Sequence, residues 1–509
     1  MSNSKPDPQL ESLVADHLDG RLSEEGWEIL KSCLHEDRAA RDYFRTMTNL
    51  HASLLGDSLN AGKALAKRDA ATRESETTIA LPTDRWAAWI GLAAAACLVL
   101  GLGAWWWQVS TSTVTLARVA GAVFSGQAPE VGSKLNDQSM QLESGLVELD
   151  FPRCDASVLI EAPAVFRVID RQTLWLESGR LTADVQNGDE LGLRVLTPDS
   201  DVLDLGTRFA VDVVVGRGSE VHVFEGEVTA ATRSGDSSGP ARSLVEGEAL
   251  RLGKSGAITE RELRRATFIH TDEMRRLKNG WSPERRKNRE SAQSQMKMDD
   301  ALLAFVDFSS MDHPAIGENR GARRVQGRFP GTTALEFLDK GDHVRFDLEA
   351  TTDQLTLMAW VRLDHNATGI NSIYHTDNWK TPGQVHWMVA ENKQMRLAIY
   401  GQELPAVRGW PESQRTFIED LGRWVHLASL YDVGAKSVRF LIDGQFDSEV
   451  VLDEAPPALL GPAQIGNWST NDPRYGDRRL SGRLDELVIL TRILSAKEIA
   501  AWVEAGSPY

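Results

Sequence analysis

The stretch VLDLGTRFAVDVVVGRGSEVHVFEGEV, residues 202–228, decides the fold of the chain's first large domain. Short β-branched runs at Val202–Leu205, Phe209–Val215 and Glu220–Phe224 are punctuated by glycine, aspartate and serine, the pattern of strands joined by tight turns. Period-two alternation places Phe209, Val211, Val221 and Val223 on one inward face. Gly206 and Gly226 suit tight turns or close approach between strands. With Leu193–Leu196 upstream, the pattern predicts a compact all-β domain over 112–255.

Working outward toward the N-terminus, the rhythm changes. Residues 86–107, WAAWIGLAAAACLVLGLGAWWW, belong to a segment with no Asp, Glu, Lys or Arg between Arg85 and Arg118. Twenty-two helical residues reach roughly 33 Å, enough for a hydrocarbon core of about 30 Å. Trp86 and Trp89 at one end and Trp105, Trp106 and Trp107 at the other suit the two membrane interfaces. A transmembrane helix is predicted there. Lys63, Lys67, Arg68, Arg73 and Arg85 precede it and no basic residue follows until Arg118. The positive-inside bias therefore predicts a single-pass inner-membrane protein, N-terminus cytoplasmic, with the bulk of the chain extracytoplasmic.

Residues 1–60 read as a small α-helical domain. Leu10, Leu13, Val14 and Leu18 have helical spacing before Gly20. Ser23 can cap a second helix carrying Trp27, Leu30 and Leu34, and Asp37 a third carrying Tyr43, Phe44, Met47, Leu50 and Leu54. A polar linker, 61–85, leads to the span. Beyond the β domain, 256–300 is helix-compatible and basic, with Arg275, Arg276, Lys278, Arg285, Arg286, Lys287 and Arg289 close together. It reads as a solvated linker, or alternatively as an anchor to an anionic envelope surface. Residues 301–509 return to β patterning, as in Leu355–Leu363, Val385–Val389, Val438–Ile442 and Leu484–Leu490, and predict a β-sandwich of jelly-roll type. Ser495 and Glu498 have capping-box spacing, opening a last helix with Ile499, Trp502 and Val503 inward.

The net charge of −17 excludes a general nucleic-acid binder, which it would repel. Cys33, Cys97 and Cys154 fall before, within and beyond the predicted span, so no intramolecular disulfide is expected. No Gly-x-Ser-x-Gly elbow, no His-Glu-x-x-His helix and no phosphate-cradling glycine loop is expected. Glu148-x-Asp150 supplies half of a glycosidase carboxylate pattern, in the wrong domain, and alternation would send adjacent Asp485 and Glu486 to opposite faces. No catalytic constellation emerges, and no enzyme is expected.

Thr197-Pro198, then Asp204-Leu205-Gly206-Thr207-Arg208-Phe209-Ala210-Val211, then Glu220 to Val228, closing at Val245-Glu246-Gly247-Glu248, resemble the core of the FecR family. That resemblance implies a membrane regulator whose cytoplasmic segment binds an extracytoplasmic-function sigma factor. Leu18-Asp19-Gly20-Arg21-Leu22-Ser23 and His35 to Arg41 resemble the accompanying anti-sigma helices. Trp27, Leu30, Phe44 and Met47 are candidate sigma contacts. His17, Cys33 and His35 are too few and poorly spaced for closed zinc coordination. Leu335-Glu336-Phe337, Leu355 to Val361, Trp424 to Ala428, Leu441 to Gly444, Ile465-Gly466 and Gly482 to Leu487 resemble the laminin-G-like, concanavalin A-like jelly roll, which implies a module for glycan or protein ligands. Some FecR regulators end in a small domain that contacts an outer-membrane transporter. A jelly roll stands in its place here, which argues against sensing through such a transporter.

Ligand-contact candidates lie in the predicted sandwich loops: His375, Asp377, Asn378, Trp379, Trp410, Trp468 and Tyr475. Aromatic rings beside amides and carboxylates suit sugar stacking with hydrogen-bonded hydroxyls. Trp387, at a strand-like position, reads as core. No cofactor is expected. Asp377, Asp472 and Asp477 could supply oxygens to calcium, without the ordered spacing of a known cage. The chain therefore reads as a membrane signalling regulator, the alternative being an envelope adhesion or scaffold protein.

Overall fold

The computed structural model describes Gly26 and residues 113–509, apart from 136, 187–191, 205, 235–236, 366–368, 402–408, 418 and 469–475. The predicted helical domain with Trp27, Leu30, Phe44 and Met47, the linker 61–85 and the span 86–107 lie outside the described residues. Among the described residues no helix is long and apolar enough to cross a membrane. The chain divides into two compact units, Met1–Gly101 and Leu102–Tyr509, and every strand among the described residues belongs to the second.

The first half of this second unit is a twelve-stranded sheet, antiparallel except where Thr173–Val185 pairs with Arg194–Leu196. The strands predicted around the opening stretch form at Ser200–Asp204, Arg208–Val214 and Gly218–Glu225. Phe209, Val211, Val221 and Val223 are fully buried in one core with Leu149, Phe151, Ile160 and Leu181 from the other arm of the sheet. Gly226 takes φ +85°, and a Cβ there would stand 2.4 Å from the Thr207 side chain. Both demands exclude a larger residue. At the Thr197-Pro198 turn the Thr197 hydroxyl accepts from the Ser200 N–H at 2.8 Å and contacts the Ser219 hydroxyl at 2.7 Å, which satisfies a fully buried polar turn.

The second half is a sandwich. An eight-stranded and a seven-stranded sheet share a core that includes Leu335, Leu357 and Leu487 from one and Ile373, Trp387 and Leu397 from the other. Strand Gln354–Leu363 shows why its apolar run is nearly unbroken. Leu355, Leu357, Ala359 and Val361 enter the sandwich core, while Met358 and Trp360 face a second apolar layer formed with Ile499, Trp502 and Val503. Those three residues ride on helix Ala496–Gly506, whose Ser495/Glu498 capping box forms as predicted.

The linker expected to be solvated is packed. It forms helix α1, Thr271–Gly280, and helix α2, Pro283–Lys297. Met274 and Leu277 of α1 are buried with Ala120, Leu146 and Leu159 of the first sheet. In α2, Arg289 is buried, with its guanidinium 2.5 Å from Glu486. Met274 and Leu277 of α1, the buried Arg289 and partly buried Ala292 and Met296 of α2, and Trp281 stacked on Phe329 dock segments that are otherwise polar, so composition alone reads them as solvated.

An ionic seam joins the two β domains. Arg180 reaches Asp212 and Glu336, each at 2.9 Å. Arg323 reaches the same two carboxylates at 2.6 and 2.7 Å. Arg483 reaches Glu161 at 2.7 Å and donates to the Thr267 carbonyl at 2.8 Å. Glu161, Arg180 and Asp212 come from the first domain and Arg323, Glu336 and Arg483 from the sandwich. All but Arg323 are buried. Arg217 adds a contact to Asp339 at 2.9 Å. The backbones also meet closely: a Cβ on Gly121, at φ +57°, would lie 2.4 Å from the Pro330 carbonyl carbon. Only glycine fits there.

Candidate functional site

The ligand candidates converge on the seven-stranded sheet, on the face turned away from the sandwich core. In strands Asn371–Thr376 and Val385–Val389, Tyr374, Val385, Trp387 and Val389 point into the core. His375 and His386 point the other way, their rings stacked 4.1 Å apart at 10°. Trp468 meets His386 edge-on at 4.7 Å, donates its indole N–H to the Asp377 carbonyl at 3.0 Å, and lies under the Arg478 guanidinium at 4.8 Å. Trp379 covers His386 at 4.1 Å and touches Tyr400 at 5.4 Å and Trp410 at 5.7 Å.

The candidates have different stations in this stack. His375 and Trp468 are buried and form its foundation. Asp377 is committed to the scaffold, since Arg345 grips its carboxylate, one contact at 2.8 Å, and Gln464 donates at 3.4 Å. Asn378 and Trp410 are exposed and Trp379 is half-buried. These three are the described candidates whose side chains reach solvent. Tyr475 lies outside the described residues. Burial holds His386 at about 3 and His375 well below the usual imidazole range. Both rings are therefore neutral at physiological pH and serve as aromatic packing.

The burial contrast makes an energetic prediction. Trp387→Ala should cost about 3–5 kcal/mol, as for a large core truncation, whereas Trp410→Ala should stay within about 0.5 kcal/mol. Chemical denaturation of the two variants measures both, and equal costs would contradict the assignment of one ring to core and the other to surface.

Of the calcium candidates, Asp377 is engaged by Arg345, Asp477 pairs with Arg479, and Asp472 lies outside the described residues. Among the described residues no group of three His, Cys, Asp or Glu is arranged to hold a metal. Glu148 is paired with Arg118 at 2.8 Å. Asp485 and Glu486 do not point to opposite faces. Glu486 takes φ +50° where the pairing with strand Gln354–Leu363 slips, and both carboxylates reach Arg328, with Asp485 at 2.9 Å. Burial pushes the Asp485 carboxyl above the usual carboxylate range, while against the same burial Arg328 and Arg289 hold Glu486 below it. The pair is enclosed, so it is a structural clasp with no access for substrate. A Gly-x-Ser-x-Gly match at 235–239 overlaps the start of strand Ser237–Val245, which pairs with Glu227–Ser234 as an antiparallel hairpin. A nucleophile elbow needs a strand-to-helix turn.

Two grooves had no signal in the sequence because their walls are distant along the chain. One, of about 760 Å³, runs between the domains past Pro163, Gly179 and Arg323. The other, of about 540 Å³, lies beside α1 between Asp150, Asp184, Arg208 and Arg276.

Similarities to known proteins fall on the same two β domains. Residues 157–229 match the family model described as FecR protein, and residues 338–500 match that of the concanavalin A-like lectin/glucanases superfamily, Laminin_G_3. No curated protein matches the chain. Among solved structures, a Parabacteroides distasonis protein described as an anti-sigma factor is 18% identical over 25% of this chain and 60% of its own, with a TM-score of 0.21. The receptor-binding domain of botulinum neurotoxin D is 10% identical over 41% of this chain and 53% of its own, with a TM-score of 0.32. Trypanosoma rangeli sialidase is 12% identical over 73% of this chain and 54% of its own, also at 0.32. The chain thus spans between about half and 60% of each. It carries a FecR segment within its first β domain and a concanavalin A-like, Laminin_G_3 segment within its sandwich.

Proposed function

We propose that this chain is a single-pass inner-membrane signalling regulator without enzymatic activity. Its cytoplasmic residues 1–60 hold or release an extracytoplasmic-function sigma factor, and its extracytoplasmic sandwich binds a glycan or protein through Asn378, Trp379 and Trp410. The observation that carries this reading is a FecR-matching domain joined by a buried ionic seam to a lectin-like module. The uncharged run at 86–107 and its basic N-terminal flank support the topology. A ligand on the sandwich changes sigma-factor release only by its different affinity for the two states, and a rigid seam gives that difference a path into the FecR domain. The test is a reporter for each such sigma factor in the source organism. Deleting residues 1–60 should change the output of one of them. Unchanged output from all would leave an envelope adhesion or scaffold protein instead.

A further inference from the structure

Helices α1 and α2 carry eight Lys and Arg against four Asp and Glu between 271 and 297, in a chain whose net charge is −17. Arg289 is spent on Glu486, and Arg285 donates to the Gly280 carbonyl at 3.1 Å and the Tyr509 carbonyl at 2.7 Å. These contacts, with Met274 and Leu277 in the apolar layer beneath, fix the two helices to the body. Arg275, Arg276, Lys278, Arg286 and Lys287 are left exposed. Arg275 has one weak partner, Asp272 at 3.5 Å, itself exposed. The cations are therefore presented on a rigid support.

Their position along the chain matters. Leu277 and Met274 pack on Ala120, in strand Thr115–Phe124. That strand opens eight residue steps after Trp107, the end of the predicted span, a reach of at most about 29 Å. A covalent tether of this length gives these helices a high effective concentration at the bilayer.

We propose that the exposed cations of helices α1 and α2 dock on the anionic headgroups of the membrane that the chain spans. The inference rests on the transmembrane reading of residues 86–107. Charge complementarity selects the occupant: the acidic remainder of the chain is repelled by the same surface, so docking also sets which side of the body faces the bilayer.

The test uses the full chain in nanodiscs of phosphatidylcholine alone or with about one-third phosphatidylglycerol. Acetylation of Lys278 and Lys287 by a water-soluble amine reagent is followed by mass spectrometry, with exposed Lys340 and Lys436 as references. Anionic lipid should slow Lys278 and Lys287 severalfold relative to the references, and high salt should restore them, since screening shortens the reach of the charges. The double variant Arg276→Glu/Arg286→Glu should lose the protection while keeping the reference rates. Equal rates in both lipids, with the chain inserted, would overturn the docking. A chain that stays soluble without lipid or detergent would instead overturn the transmembrane reading.

Discussion

Glu336→Gln is expected to destabilise the described unit by about 3–5 kcal/mol, the cost of removing one partner from a buried ion cluster. Glu336 takes both Arg180 and Arg323, at 2.9 and 2.7 Å, and is almost wholly excluded from solvent. Without its charge, Arg180 and Arg323 are left sharing Asp212, with Glu161 3.6 Å from Arg180 as the next carboxylate, and Arg483 loses a carboxylate 3.7 Å away. Urea unfolding should show a lower midpoint and a first transition in which the FecR domain and the sandwich separate. As the control, Arg242→Gln removes an exposed pair with Glu260 and should change stability by less than about 0.5 kcal/mol. Similar small losses for both variants would mean that the domains are held by something other than the seam.

Arg328→Met should be comparably severe and should carry a distinctive pH dependence. Arg328 is fully buried between Asp485 and Glu486, and its Nε donates to the Gly506 carbonyl at 2.8 Å, which ties the last helix to the sheet. Methionine fills much of the volume but leaves two buried carboxylates facing each other with Arg289 as the remaining cation. A loss of about 3–5 kcal/mol is expected at neutral pH. The sign of the pH effect comes from the unpaired acids. Their folded pKa values rise above the unfolded ones, so the variant should regain stability relative to the parent as pH falls from about 7 toward 4. A deficit that stays constant with pH would show that lost packing, and not stranded charge, accounts for the damage.

What could be read from the sequence was local. Alternation assigns Phe209, Val211, Val221 and Val223 to the core, the Ser495/Glu498 spacing locates the last helix, and strand-like placement separates Trp387 from the loop tryptophans. Each of these signals is carried by neighbours a few residues apart. The seam has no such signal. Arg180 and Glu336 are 156 positions apart, and nothing near either announces a partner. The two helices read as solvated for a related reason, since Met274, Leu277, Arg289 and the partly buried Ala292 and Met296 are few anchors in an otherwise polar segment. The Asp485/Glu486 pair defies alternation because one residue at positive φ breaks the period. Within the candidate site the sequence singles out rings that the fold brings together, His375, Trp379, Trp410 and Trp468. It does not separate the buried support, His375 and Trp468, from the exposed Trp410 and Asn378, because that distinction depends on which ring lies on top.

The central claim is that the cytoplasmic end of this chain grips a sigma factor while a fused FecR and lectin-like body stands outside. Its most direct test is co-purification of the full-length chain from membranes of the source organism. The account predicts one extracytoplasmic-function sigma factor in the captured fraction, saturable on titration and lost when residues 1–60 are deleted. A chain that is membrane-bound and intact but captures none, or captures the same partner without residues 1–60, would contradict it.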